Sequence, residues 1–299
     1  SCADALLFMY SNKLYTPLRY PGGKARFAPF VAHVMRMNGL EGGHYLEPYA
    51  GGAGVALELL FHGDASHIHI NDFDSAIYDF WMAVATDPEG VLKLLWDTPV
   101  DMVQWHHWRS VLRGEIKVSQ VERGFATLFM NRTNRSGVLK GGVIGGLDQA
   151  GTYKLDARLK KEVMAKRIEM IALHASAISV YNEDAVQLLA RCTSFLPQQS
   201  LIYLDPPYYV KGQGLYRNFY EHNDHVRIAA LLQSESFSRP WLCSYDNVEE
   251  IQQMYKLSLG LSYRLNYTAQ VRYVGAEVMF FGPGLVVPDE EIPQSLLAA

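Results

Sequence analysis

The chain has 299 residues, 49% of them hydrophobic and 19% charged, which is ample material for a core and excludes wholesale disorder. Its three cysteines, Cys2, Cys192 and Cys243, are odd in number and lack a C-x-x-C spacing, so neither a disulfide scaffold nor a cysteine-based zinc site is expected. The net charge of −4 is uneven: Gln104 to Arg167 carries 13 Lys and Arg against 5 Asp and Glu, a net of +8, so a local attraction for a polyanion survives an acidic average. Within that stretch, Lys154 to Arg167 taken alone reads as a lysine-rich solvated helix. No apolar run reaches the length of a membrane helix. No secretory pattern stands at the start, which predicts a cytoplasmic protein, and the missing opening Met suggests processing or an added segment ahead of about Leu14.

In chain order, Tyr45-Leu46-Glu47 reads as a short buried strand running into a glycine-rich turn, and Val55 to Leu60 opens a helix. His67 to Asn71 is a second strand, ending at Asp72, and Asp74 to Ala85 a second helix before Asp87-Pro88. From about residue 81 to 173 the rhythm breaks. Helices are expected over Val91–Trp96 and Asp156–Ile171, with a hairpin or irregular loop over the glycine-dense Ser136–Gly146. His106 and His107, between Trp105 and Trp108, are expected in buried helix packing. Strands follow at Ile178–Tyr181, Leu201–Leu204, Trp241–Tyr245, Tyr263–Tyr267 and Glu277–Phe281, with Arg272 and Glu277 read as a structural pair across a late hairpin. The alternation predicts a doubly wound α/β domain over 14–80 and 174–287, a mainly helical inserted domain over 81–173, and a mobile tail over 288–299.

Each early strand delivers a polar or acidic residue at its carboxyl end, where open α/β sheets bind ligands. Asp205-Pro206-Pro207-Tyr208 follows the apolar Leu201–Leu204. Neither proline has an N–H, so the Asp205 carboxylate and the Pro206 carbonyl are both available to accept hydrogen bonds from one amino group, with the Tyr208 ring as a stacking plate. Alone, the tetrapeptide is also compatible with a rigid turn. In Glu47-Pro48-Tyr49-Ala50-Gly51-Gly52-Ala53-Gly54 the glycines let a ligand approach the backbone, but this is neither G-x-G-x-x-G nor a phosphate loop. Asp72 stands about twenty residues on, where an acid commonly holds ribose hydroxyls. Either Asp72 or Asp74 serves equally well as a helix N-cap. His67 and His69 share a strand face and are read as ordinary packing rather than as metal ligands.

In order along the chain, Tyr20-Pro21-Gly22-Gly23-Lys24, the Glu47–Gly54 turn, Asn71-Asp72, Asp184 after Tyr181-Asn182-Glu183, and DPPY at 205–208 together resemble the Dam-like, D12 class DNA adenine-N6 methyltransferases. The glycine turn carries one more glycine than the commonest form, and a weaker match runs through Ser244-Tyr245-Asp246-Asn247. The resemblance implies a Rossmann-like methyltransferase fold with a mostly parallel seven-stranded sheet and an inserted DNA-recognition domain. It implies S-adenosylmethionine as methyl donor, with S-adenosylhomocysteine as product and no metal. Tyr20, Lys24, Glu47, Tyr49, Gly51, Gly52, Asp72, Asp184, Ala185 and Asp205 would line the donor site, and Asp205, Pro206 and Tyr208 would be catalytic. Asn131-Arg132-Thr133 resembles the start of the recognition loop, which makes Arg132, Asn134, Arg135 and Lys140 the expected DNA contacts. The residues after it depart from the GATC-reading form.

The implied reaction is direct methyl transfer to N6 of an adenine extruded from double-stranded DNA, with Gly212 and Gly214 in a flexible lid and Tyr216 or Phe219 closing on the base. A restriction or defence system is one setting the resemblance allows, beside a phage or chromosomal role, with the chain as a monomer or weak dimer. The competing readings are methylation of cytosine N4 or of adenine in RNA, and a non-catalytic DNA-binding relative. Asp205 argues against the first, since cytosine-N4 enzymes more often carry Ser there. Intact Asp72, Asp184 and DPPY argue against the last.

Overall fold

The computed structural model describes residues 15–20, 24–210, 220–264 and 276–288. Seven strands form one sheet: β1 (Gly43–Glu47), β2 (Ala65–Asn71), β3 (Ile178–Tyr181), β4 (Ser200–Leu204), β5 (Trp241–Asp246), β6 (Leu259–Arg264) and β7 (Ala276–Phe281). Their order is β3-β2-β1-β4-β5-β7-β6, with β1 to β5 parallel and β7 antiparallel between β5 and β6. The chain moves outward from β1 to β3, then crosses back to lay β4 on the other side of β1. A crevice therefore opens beyond the carboxyl ends of β1 and β4.

Side chains alternate between the two faces of the sheet. Tyr45, Ile68, Leu201 and Tyr203 meet α1 (Ala28–Met37), α2 (Gly54–Phe61), α3 (Ser75–Thr86), α4 (Pro88–Asp97), α5 (Met102–Leu112), α6 (Gln120–Thr133) and α7 (Lys161–Leu173) in one continuous apolar cluster. Leu46, Ile202, Leu204, Cys243 and Tyr245 meet α8 (Ala185–Ala190), α9 (His222–Leu232) and α10 (Glu249–Met254) in the other. Capping side chains fix several helix starts: Asp74 accepts from the Ala76 N–H, Asp87 from Gly90, Asp101 from Gln104 and Ser119 from Glu122. Asp74 is thus the cap where two aspartates competed. A Cβ on Gly124 would stand 2.7 Å from the Asp79 carbonyl, so only glycine lets α6 lie this close to α3.

Some expectations shift. The late strand begins at Leu259 rather than Tyr263, because pairing of Leu259 with Phe281 in β7 sets its start, and residues 265–267 lie outside the described residues. The helix expected from Asp156 begins at Lys161, after turns that bury Leu155 and Leu159. The glycine run forms an irregular loop with one isolated bridge, Asn134 to Val143. Trp105 and Trp108, three apart, take the buried face of α5, which leaves His106 and His107 exposed rather than packed inside. Among the described residues no helix is long and apolar enough to cross a membrane.

Candidate active site

Two cavities meet at the crevice, and both are lined by Tyr20, Tyr49 and Asp205. The smaller, about 270 Å³, also has Asp72, Phe73, Asp184, Ala185, Pro207 and Tyr220 on its walls. The larger, about 450 Å³, has Lys24, Glu47 and the glycine turn from Gly52 to Gly54 on one side and arginines on another. The expected donor-site residues divide between the two: Lys24, Glu47 and Gly52 line only the larger, Asp72, Asp184 and Ala185 only the smaller, and Gly51 lines neither.

The turn after β1 is fastened at several points. Gly51 adopts φ +49°, donates its N–H to Asp72 Oδ2 at 2.9 Å and accepts from Trp81 Nε1 at 2.9 Å. A Cβ there would stand 2.7 Å from the Tyr20 ring, so glycine is what allows that ring to lie on the turn. The other Asp72 oxygen accepts from the Asp74 N–H at 2.9 Å. Burial nevertheless raises the Asp72 pKa to about 7. Glu47 is buried, accepts from Tyr45 Oη at 2.8 Å and from the Ala56 N–H at 2.9 Å, and is pushed by burial to about 8. Its carboxyl therefore ties strand to helix.

At the end of β2, Asn71 bonds the Pro48 and Glu183 carbonyls and accepts from the Glu183 N–H, which joins the loops after β1, β2 and β3. Asp184 caps α8 by accepting from Val186 and Gln187. Tyr49 Oη lies 2.8 Å from Tyr220 Oη, which closes one side of the smaller cavity. Of the lid expected over Tyr209–Tyr220, residues 211–219, with Gly212, Gly214, Tyr216 and Phe219, lie outside the described residues, as do Pro21–Gly23 and Arg272.

At the end of β4, Asp205 is partly buried with Lys24 Nζ at 3.7 Å. Burial raises the Asp205 pKa to about 6. Lys24 works against that rise, and Glu277 adds to it. Lys24 donates to Tyr208 Oη at 2.9 Å, and Tyr208 donates to Glu277. Glu277, on β7, also accepts from Tyr263 Oη at 2.9 Å and lies 4.0 Å from Lys24. Tyr208 is thus held through its hydroxyl as well as through the two prolines. Asp246, at the end of β5, accepts from the N–H groups of Tyr209 and Val210 and fixes the chain beyond.

Glu277 and Asp246 escape sequence reasoning as site residues. Asp246 carries a visible signal, an acid at a strand end. Glu277 carries none, because only the antiparallel return of β7 beside β5 brings it to Tyr208.

The expected DNA contacts separate. Arg135 and Lys140 are exposed, and Lys140 borders a groove with Arg109 and Arg113. Asn134 is fully buried: it accepts from Trp105 Nε1 at 2.8 Å and donates to the Val138 and Leu139 carbonyls. With its amide spent on these bonds, it shapes the loop and does not face DNA in this conformation. Arg132 is 8% exposed, donates to the Pro17 carbonyl at 2.6 Å and lines the larger cavity. His67 and His69 pack in a ring stack with His44 and bond Ser179 and Tyr181. Among the described residues no group of three or more His, Cys, Asp or Glu is placed to hold a metal ion.

Residues 20–268 match the family model of the D12 class N6 adenine-specific DNA methyltransferases. No curated protein matches the chain. Among solved structures, protein LPL1258 of Legionella pneumophila, of the DUF519 family, aligns over 90% of this chain and 88% of its own at 10% identity, with a TM-score of 0.29, too low to bear on fold or function.

Proposed function

The chain belongs to the D12 class N6 adenine-specific DNA methyltransferase family, and on that premise we propose that it transfers a methyl group from S-adenosylmethionine to N6 of an adenine extruded from double-stranded DNA. The observation that carries the reading is the Asp205 carboxylate, partly buried beside Lys24 at the junction of two cavities. One cavity has room for the donor and the other wall admits the base. The donor nucleoside would lie in the smaller space, where Asp72 would hold ribose hydroxyls and Asp184 and Ala185 would flank the purine, with Tyr20 laid on Gly51 as a cradle. S-adenosylmethionine, when bound, supplies an electrophilic methyl group on a sulfonium centre.

The chain's own work is done at the amine. Adenine N6 is conjugated into its ring and is a poor nucleophile. The Asp205 carboxylate and the Pro206 carbonyl would accept its two hydrogens and turn its lone pair towards the incoming carbon. With a pKa of about 6, Asp205 is ionised at neutral pH and can take the proton that the nitrogen sheds. Extrusion costs on the order of a few kcal/mol, and stacking on Tyr208 would return roughly 1–3 kcal/mol.

Residues 81–173 are read as the target-recognition insert, with the exposed Arg113, Arg135 and Lys140 and the half-buried Arg109 as its basic contacts. A restriction or defence system is the natural companion of such an enzyme. Incubation with isotopically labelled donor and DNA or RNA, followed by mass spectrometry of the nucleosides, tests the reading. N6-methyladenine from DNA is expected. N4-methylcytosine, label in RNA alone, or no label would overturn it.

A further inference from the structure

The larger cavity has an arginine wall, five residues that the proposed chemistry does not use; besides Arg26, two residues after Lys24, four come from separate segments. Arg19 comes from the segment before Lys24, Arg132 from the end of α6, Arg158 from the turns before α7, and Arg167 from α7. Their bonds go to neutral carbonyls: Arg132 Nε to Pro17, Arg132 Nη1 to Arg158 at 3.3 Å, and Arg167 Nη1 to Thr16 at 2.8 Å. Among the described residues none of the four has a carboxylate within 4.0 Å, and Arg19 Nη1 is buried without a hydrogen-bond partner.

Guanidinium groups crowded on one cavity with no carboxylate of their own repel one another. The crowding is visible in Arg132, whose pKa falls to about 9 through burial and through Arg167, Arg19 and Arg158. Burial and Arg158 lower Arg19 in the same way. Two carboxyl groups line the same cavity but are engaged elsewhere, Glu47 with Tyr45 and Ala56, and Asp205 with Lys24. The wall is therefore built for an external oxyanion, and planar guanidinium forks match phosphate oxygens.

We propose that Arg19, Arg132, Arg158 and Arg167 form a phosphodiester seat beside the reacting carboxylate, receiving the backbone phosphate next to the extruded nucleotide. The proposal rests on the reading of the site as a DNA methyltransferase. A strand that brings a base to Asp205 carries a phosphate on each side of that base, and this cavity is where Asp205 and the arginine wall meet. Four cations also exceed what the single carboxylate of the donor's amino-acid tail requires.

Arg158 is the residue to change, because it is exposed and its guanidinium makes no bond among the described residues, so the fold does not depend on it. Fluorescence anisotropy with a labelled adenine-containing duplex over a salt series would compare the full chain with Arg158→Gln and Arg158→Lys. Calorimetry would follow S-adenosylhomocysteine and the carboxylate-free methylthioadenosine. Arg158→Gln is expected to weaken DNA binding about tenfold and to reduce the salt slope by roughly one unit, as loss of one phosphate contact does. Arg158→Lys should keep the slope, and S-adenosylhomocysteine affinity should not change. Unaltered DNA affinity and slope in Arg158→Gln would overturn the seat. So would a selective loss of S-adenosylhomocysteine affinity with methylthioadenosine unaffected, which would assign the arginines to the donor's carboxylate. A changed salt slope in a protein that transfers no methyl group would keep the seat and sink the proposed activity instead.

Discussion

Lys24 Nζ lies 3.7 Å from the Asp205 carboxylate and 4.0 Å from that of Glu277, so one buried ammonium from ahead of the first helix serves two acids from the last third of the chain. Burial raises Asp205 to about 6, with Lys24 holding it down and Glu277 holding it up. Only the ionised carboxylate accepts both a hydrogen bond and a proton. The single-turnover rate of methyl transfer should therefore rise with pH through about 6. Lys24→Met should move that limb to higher pH and Glu277→Gln to lower pH. Limbs that stay in place in both variants would remove this triad from the mechanism.

Asp205→Asn keeps the shape of the site and loses the charge. Turnover is expected to fall by roughly 10²–10³-fold or more, in line with removal of a single preorganised electrostatic contact. Donor affinity should change little. Methyl transfer at near-normal rate would contradict the role given to this residue.

Gly51→Ala places a methyl group 2.7 Å from the Tyr20 ring on a backbone with φ +49°. The left-handed conformation should cost about 1–2 kcal/mol of stability. Displacement of Tyr20 should weaken donor binding about tenfold, as read by calorimetry. Wild-type donor affinity in this variant would show that Tyr20 does not form the cradle.

Besides Asp205, three carboxyls have folded pKa values above the usual range: Glu47 near 8, and Asp72 and Glu58 near 7, each raised first by burial. From the ordinary carboxyl range, about pH 4, up to about pH 8 the folded state holds protons that the unfolded chain has already released. Stability is therefore highest at the acidic side of that window and is lost as pH rises through the folded values. Thermal unfolding of the donor-free protein should show Tm falling across this range. Glu47→Gln should flatten the upper part of the decline. A Tm that climbs with pH instead would contradict the assignment.

Asn134→Ala strips the acceptor from buried Trp105 Nε1 and two donors from the Val138 and Leu139 carbonyls. A loss of about 1–3 kcal/mol in denaturant unfolding is expected from the unsatisfied indole alone. Lys140→Gln, at an exposed position, should leave stability unchanged and weaken DNA binding. The reverse pattern would return Asn134 to the nucleic-acid surface.

Much of the site is legible from residue order because it is built at strand ends. Acidic residues follow the short apolar runs at the carboxyl ends, so Glu47, Asp72 and Asp205 mark both the ends of β1, β2 and β4 and the rim of the crevice. The parallel sheet and the family follow from that punctuation and from the motifs in order. Other features depend on distance through space. Glu277 reaches Tyr208 only because β7 inserts antiparallel between β5 and β6. Asn134, read as a DNA contact from its neighbours in the chain, is enclosed because Trp105, 29 residues away, donates to it. The four arginines lie at 19, 132, 158 and 167, and no spacing rule unites them. Local sequence determined where elements begin and end, since propensity, capping and burial act over a few residues. Only the tertiary structure decided which charges share a cavity, because electrostatic coupling depends on separation in space and burial, not on position along the chain.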